Sequence, residues 1–160
     1  PEAVAAAIRL VRHQLDRATE TFHCDVDPAV PNVRGNAQRL EQVIVNLLQN
    51  ACQAVTDRRQ AIRVQVRSAE AGQTVMLQVQ DEGAGIPPEI LPHLTDPFFT
   101  TKRGIGGMGL GLFLSAGIVN RMGGTIGFES VPGQGTTVTV RLRPAGPPQP
   151  SDPPPKGAMP

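Results

Sequence analysis

The sequence has no dominant charge, no long apolar run and almost no cysteine. Fifteen Lys and Arg stand against fourteen Asp and Glu, a formal net charge of +1, so no broad field points to nucleic acid or an anionic membrane surface. Partners must therefore be read from sites. No apolar stretch approaches the roughly 20 residues that span a bilayer. The opening PEAVAAAIRLVRHQLDR has the wrong order of charged and apolar residues for a signal peptide. These absences point to a cytosolic chain without membrane contact of its own. The two cysteines, Cys24 and Cys52, match no metal-ligand spacing and form no disulfide framework, which leaves both as expected small buried apolar residues. What remains, at 160 residues and 39% hydrophobic content, suits one ordinary globular domain. Beginning at Pro1 without Met, the chain is expected to be part of something longer.

Periodicity orders the elements. From Pro1 to about Glu20, Ile8, Val11 and Leu15 fall near helical spacing. TFHCDVD alternates Phe22, Cys24 and Val26, a strand signal. GNAQRLEQVIVNLLQNACQAV places Leu40, Val43, Ile44, Leu47, Leu48 and Val55 on one helical stripe, with Asn36 as its N-cap. IRVQVR and TVMLQVQ alternate on either side of SAEAGQ, an antiparallel hairpin whose second strand ends in Asp81. A Gly and Pro loop, DEGAGIPPEI, leads into a long irregular stretch. LGLFLSAGIVNRM then restores helical character, and GTIGFES with TTVTVRLR makes a second hairpin across VPGQG. Residues 1–143 read as one domain. From Pro144, PAGPPQPSDPPPKGAMP has no apolar periodicity and reads as a disordered or polyproline tail, residues 144–160. This order predicts a two-layer α/β sandwich, a mixed sheet with helices on one face. The hairpins exclude an all-parallel doubly wound sheet.

Three places carry chemistry. On the long helix the apolar stripe leaves Gln42, Asn46, Gln49, Asn50 and Gln53 on the other side, with Asn46 and Asn50 at i, i+4. Asn is a poor helix former because its amide competes with the backbone. The pair is either a solvated face or a set of neutral oxygens for a hard cation such as Mg²⁺ shared with phosphates. Asp81 stands at a strand end before DEGAGIP. An ionised carboxylate only accepts, which suits an exocyclic amine. Gly83 and Gly85 would let the main chain approach a flat ring, although the same residues also make an ordinary Asp-initiated turn.

The glycine run in DPFFTTKRGIGGMGLGLFLS contains a trap. Gly104, Gly106 and Gly109 satisfy G-x-G-x-x-G, and Glu129 follows about 20 residues later. A dinucleotide loop must leave a buried parallel strand, whereas LTDPFFTTKR has Pro97 and only two large apolar residues after its leucine. A Walker A loop fails because no G-K-[ST] occurs. A glycine-rich loop feeding a helix N-terminus survives, where free N–H groups and the helix dipole favour a polyphosphate. Lys102, just before it, either adds a point charge there or is simply solvated. Thr136 begins a strand beside a glycine pair and can place a hydroxyl near Asp81.

In this order the segments resemble the catalytic, ATP-binding domain of two-component sensor histidine kinases, in the superfamily shared with gyrase B, heat-shock chaperone and mismatch-repair ATPases. EQVIVNLLQNA is similar to the N box, DEGAGIP to the G1 box, DPFFTTK to the F box, GGMGLGLFLS to the G2 box and GQGTTVTV to the G3 turn. The resemblance covers about residues 20–143, and PFFTTK looks most like nitrogen-regulation and dicarboxylate-transport sensors. It implies the Bergerat fold, ATP and Mg²⁺ as cofactors, and Asn50 as metal ligand with Asn46 beside it. It implies further that Asp81 takes the adenine amine, with Gly83, Gly85, Ile86 and Thr136 about the base. Phe98, Phe99, Thr101 and Lys102 would belong to a mobile lid. Gly107, Met108, Gly109, Leu110, Gly111 and Leu112 would surround the phosphates, with Asn46 and Lys102 in catalytic roles. In the hydrolase members a glutamate occupies the position of Asn46. An amide cannot take a proton from water, so Asn46 favours phosphoryl transfer over hydrolysis.

One feature departs from the resemblance. The acceptor histidine of such kinases lies on a separate helical hairpin, and neither His13, His23 nor His93 has that context. The expected partners are therefore ATP, a dimerisation domain outside this chain that carries the acceptor, and indirectly a response regulator. A serine kinase or regulatory binding module of the anti-sigma-factor type is the alternative on the same fold.

Overall fold

The computed structural model describes residues 1–97 and 110–146. Helix α1 (Glu2–Ala18) turns Val4, Ala7, Ile8, Val11 and Leu15 into the core. It stops at Thr19, whose hydroxyl donates to the Gln60 carbonyl at 2.6 Å and accepts from Thr21 N–H at 2.9 Å. Strand β1 (Phe22–Val26) follows, then α2 (Ala37–Ala54). Asn36 caps α2 as expected, its Oδ1 accepting from Gln38 N–H at 2.8 Å and Arg39 N–H at 3.1 Å. Two of the donors that a helix start leaves unpaired are thereby satisfied.

Strands β2 (Ile62–Ala69) and β3 (Thr74–Asp81) form the first hairpin, α3 (Gly111–Arg121) follows, and β4 (Thr125–Val131) with β5 (Gly135–Leu142) forms the second. The sheet order is β1-β2-β3-β5-β4, with β1 parallel to β2 and every other pair antiparallel. This is the two-layer mixed sandwich that the alternation predicts. Ile62, Val64, Val66, Val75, Leu77, Val79, Val140 and Leu142 face Val43, Ile44, Leu47 and Leu48 of α2 across one core. Burying each large side chain contributes about 1.5–3 kcal/mol before the entropy of ordering is subtracted. On the other face Gln65, Gln80 and Arg141 are exposed.

Pairing also continues beyond the last strand. Val33 bridges Pro144, and Ala145 N–H donates to the Asn32 carbonyl at 2.7 Å. From residue 147 on, the proline-rich tail lies outside the described residues. No helix among the described residues is long and apolar enough to cross a membrane.

The cysteines depart from expectation. Cys24 is exposed and Cys52 half-buried. Cys24 pairs with Val64 in register, but β1 is an edge strand and Cys24 is exposed on it. Burial pushes the Cys52 thiol up to about 11, and partial desolvation followed by the Asp25 charge raises the Cys24 thiol too, so it is the exposure of Cys24 that separates the two. A thiol reagent at pH 8 should therefore label Cys24 in the native protein and Cys52 mainly after unfolding, read by peptide mass spectrometry. Equal native rates would contradict this placement.

Candidate functional site

The alternation of β3 puts Asp81 on the same face as Val75, Leu77 and Val79, at the end of the strand and 7% exposed. Register then sets its neighbours. Asp81 lies opposite Thr136 of β5, and Thr136 opposite Ser130 of β4. Residues paired across a sheet share a face, so the three form one polar row beside an otherwise apolar core. Asp81 Oδ1 accepts the Gly83 N–H at 2.8 Å. Ser130 Oγ accepts from Ile86 N–H at 2.8 Å, donates to the Gly135 carbonyl at 2.9 Å and lies 2.8 Å from Thr136 Oγ1. The loop after β3 is thus pinned to the sheet at Gly83 and Ile86.

Both glycines of that loop are required by close approach. A Cβ at Gly83 would sit 2.3 Å from the Ala54 carbonyl oxygen, which itself accepts Ala84 N–H at 3.0 Å. Gly85 has φ +71°, and a Cβ there would meet the Val131 carbonyl oxygen at 2.2 Å. Just before them Glu82 turns away to a different set of partners. Its carboxylate accepts from Ala61 N–H and from Arg63 Nη1, each at 2.8 Å. These contacts, Ala61 first, hold its carboxyl below the usual range.

The second wall is α2. Asn46, Asn50 and Ala54 recur every four residues on one side of the helix, over about 12 Å of axis. Ala54 holds the loop, and Asn46 meets α3. Asn46 Nδ2 donates to Ser115 Oγ at 2.9 Å, and Ser115 is 2% exposed. A Cβ at Gly111 would lie 2.3 Å from Asn46 Oδ1, so the amide is bracketed by the first turn of α3. Of the five polar residues expected on this side, Gln42 and Gln53 are exposed while Asn46, Gln49 and Asn50 are half-buried. The solvated-face reading therefore does not describe Asn46, whose amide is bonded to Ser115 of α3, and Asn50 one turn on is half-buried as well. No side chain caps α3, and its first turn carries no acid. Leu110 and Leu112 flank Gly111 and are half-buried.

Phe98, Phe99, Thr101, Lys102, Gly107, Met108 and Gly109 lie outside the described residues. His13, His23 and His93 are all exposed. Two polar residues went unnoticed in the sequence, Ser115 and Ser130. Ser115 had a faint signal, a hydroxyl one turn before Val119 on the buried stripe of α3. Ser130 had none, since its partner Ile86 lies in a loop 44 positions away and only the sheet register sets it beside Gly135 and Thr136. A cavity of about 290 Å³, lined among others by Val30, Leu40, Met122 and Leu142, opens at the other end of the sheet. It shares no residue with the polar row.

Residues 35–146 match the family described as histidine kinase-, DNA gyrase B-, and HSP90-like ATPase. The chain is 41% identical over 144 residues to the C4-dicarboxylate transport sensor protein DctB of Rhizobium meliloti (strain 1021), covering 90% of this chain and 22% of that protein. It is 40% identical over 117 residues to the sensory histidine kinase/phosphatase NtrB of the same organism, covering 65% of this chain and 30% of the relative. The chain thus spans less than a third of either. Among solved structures, the nucleotide-free catalytic domain of histidine kinase ThkA superposes with a TM-score of 0.76 at 27% identity, over 89% of this chain and 92% of that one.

Gly83→Ala should cost about 1–3 kcal/mol, as overpacking does, because the Ala54 carbonyl is backbone and cannot swing aside. Gly117→Ala, mid-helix with open space at its Cβ, should instead stabilise by about 0.5–1 kcal/mol. Urea unfolding of the two variants checks both signs.

Proposed function

The chain belongs to the histidine kinase-, DNA gyrase B- and HSP90-like ATPase family, and we propose that it is the ATP-binding catalytic domain of a sensor histidine kinase. In this reading it presents the γ-phosphoryl of Mg·ATP to a histidine on a separate dimerisation domain. One observation carries the reading: the buried Asp81 sits at the end of β3, under a glycine loop held by Ala54, on the same helix that carries Asn46 and Asn50.

Each residue has a role in this reading. Asp81 accepts the exocyclic amine of adenine, and the bare backbone of Gly83 and Gly85 lets the ring lie close, with Ile86 and Thr136 beside it. The uncapped start of α3 at Gly111 directs N–H groups toward the phosphates, flanked by Leu110 and Leu112. Gly107, Met108 and Gly109 precede it. Lys102 adds a positive charge, while Phe98, Phe99 and Thr101 complete the cover over the nucleotide.

The donor set fits Mg²⁺. Asn50, with Asn46 beside it, offers neutral oxygens, and no group of three or more His, Cys, Asp or Glu able to hold a metal occurs among the described residues. A cation here would be shared with the phosphates, as Mg²⁺ commonly is. When bound it supplies charge neutralisation for the transferring group. Catalysis by the chain itself is then positioning. Asn46 cannot act as a base toward water, and Ser115 holds the donor end of its amide. The phosphoacceptor domain and, through it, a response regulator are the partners this reading requires.

Asp81→Asn should abolish retention on immobilised ADP while circular dichroism stays unchanged. Retained binding would remove the adenine assignment. Incubated with radiolabelled ATP, the chain alone should acquire little label, because its histidines are exposed outside the site. Stoichiometric phosphohistidine on the chain would refute the need for a separate acceptor.

A further inference from the structure

We propose that Ser130 sets the base preference of this site by fixing the direction of the Thr136 hydroxyl proton. The inference rests on the adenine reading of Asp81. A serine hydroxyl has one proton and two lone pairs. At Ser130, Ile86 N–H occupies one lone pair at 2.8 Å. The Gly135 carbonyl, 2.9 Å away, can only accept, so it takes the single proton. Thr136 Oγ1, at 2.8 Å, is then left to donate into the remaining lone pair. Every valence of Ser130 is used, and the Thr136 proton points toward β4.

The consequence falls on the other side of Thr136. Asp81 is its partner in the β3–β5 register, and both residues are buried, at 7% and 8% exposure. Thr136 turns only lone pairs toward that side, and an ionised Asp81 likewise only accepts. The polar floor of the site is therefore acceptor beside acceptor. A base edge that carries an amino group meets it with donors. A 6-oxopurine places a further acceptor there and leaves buried polar atoms unpaired, which disfavours it by at least about tenfold. Asp81 supplies the charge in this arrangement. Ser130, which need not touch the base, removes the one proton that would have relaxed the rule.

Ser130 also ties the loop to the sheet through Ile86, so a loss of affinity alone would not distinguish the two roles. The ratio of affinities does. ADP and IDP are titrated into the whole chain by calorimetry, with IDP measured by competition where it is weak. Wild type should favour ADP by at least about tenfold, Ser130→Ala should shrink that ratio roughly threefold or more by freeing the Thr136 proton, and Ser130→Thr should restore it. Thr136→Val, which keeps the Ser130–Ile86 tie and deletes the second acceptor, should also shrink the ratio.

If Ser130→Ala weakens both nucleotides equally, Ser130 is a structural tie only and the proposal is overturned. If that variant fails to fold, an unchanged ratio in Thr136→Val overturns it instead. Failure of the wild-type chain to bind ADP at all would refute the underlying adenine reading, a different result from ADP binding whose selectivity ignores both substitutions.

Discussion

The register between β3 and β5, which sets Asp81 opposite Thr136, is the constraint on which the rest of the site depends. Side chains alternate with period two along a strand, so a slip of one residue would send Asp81 to the outer face and bring Gln80 into the core. The slip is prevented at both ends of the strand. Val75, Leu77 and Val79 are buried against α2, while Gly135 passes so close to Asp81 that a Cβ there would stand 1.9 Å from its carbonyl oxygen. Hydrophobic burial thus supplies the energy that holds a buried carboxylate in place. The Gly83 N–H bond limits what that burial costs.

Helix α2 transmits the same constraint to the far side of the site. Its apolar stripe is committed to the sheet, which leaves the Asn46, Asn50 and Ala54 line facing α3 and the loop. Neither end of this line is left to solvent. Ala54 offers a carbonyl to Ala84 N–H, and Asn46 is bonded to Ser115 beneath the first turn of α3. A shift of α2 by a fraction of a turn would break both contacts together. The residues proposed to meet adenine and those proposed to meet phosphate are therefore positioned by one rigid element, as preorganised phosphoryl transfer requires.

Much of this was legible beforehand, for identifiable reasons. The strands β2 and β3 alternate cleanly, α2 carries an unbroken stripe, and Asn36 precedes it with the right chemistry, so local rules and tertiary packing agree there. Gly83 and Gly85 were marked as places where a flat ring comes close, whereas the groups that crowd their Cβ positions are the Ala54 and Val131 carbonyls, and the Asp81–Gly83 bond makes the Asp-initiated turn that was the alternative. The illegible parts share a cause. Cys24 alternates correctly with Phe22 and Val26, yet periodicity cannot say that β1 lies at an edge. Asn46 looked like part of a polar face because Ser115 of α3, to which it is bonded, lies 69 positions away in the chain.

The sequence alone determined the order of elements, the mixed sheet, the position of Asp81 at a strand end and the set of amide oxygens on α2. All of these follow from periods and residue chemistry within a few turns of chain. Tertiary structure decided how those groups meet. It put Ser130 against Ile86, Gly135 and Thr136, put Ser115 against Asn46, and left Cys24 at the surface. The Ser130–Ile86 and Asn46–Ser115 bonds join residues 44 and 69 positions apart and depend on register and helix packing. Those are properties of the assembled sheet, and no local window of sequence contains them.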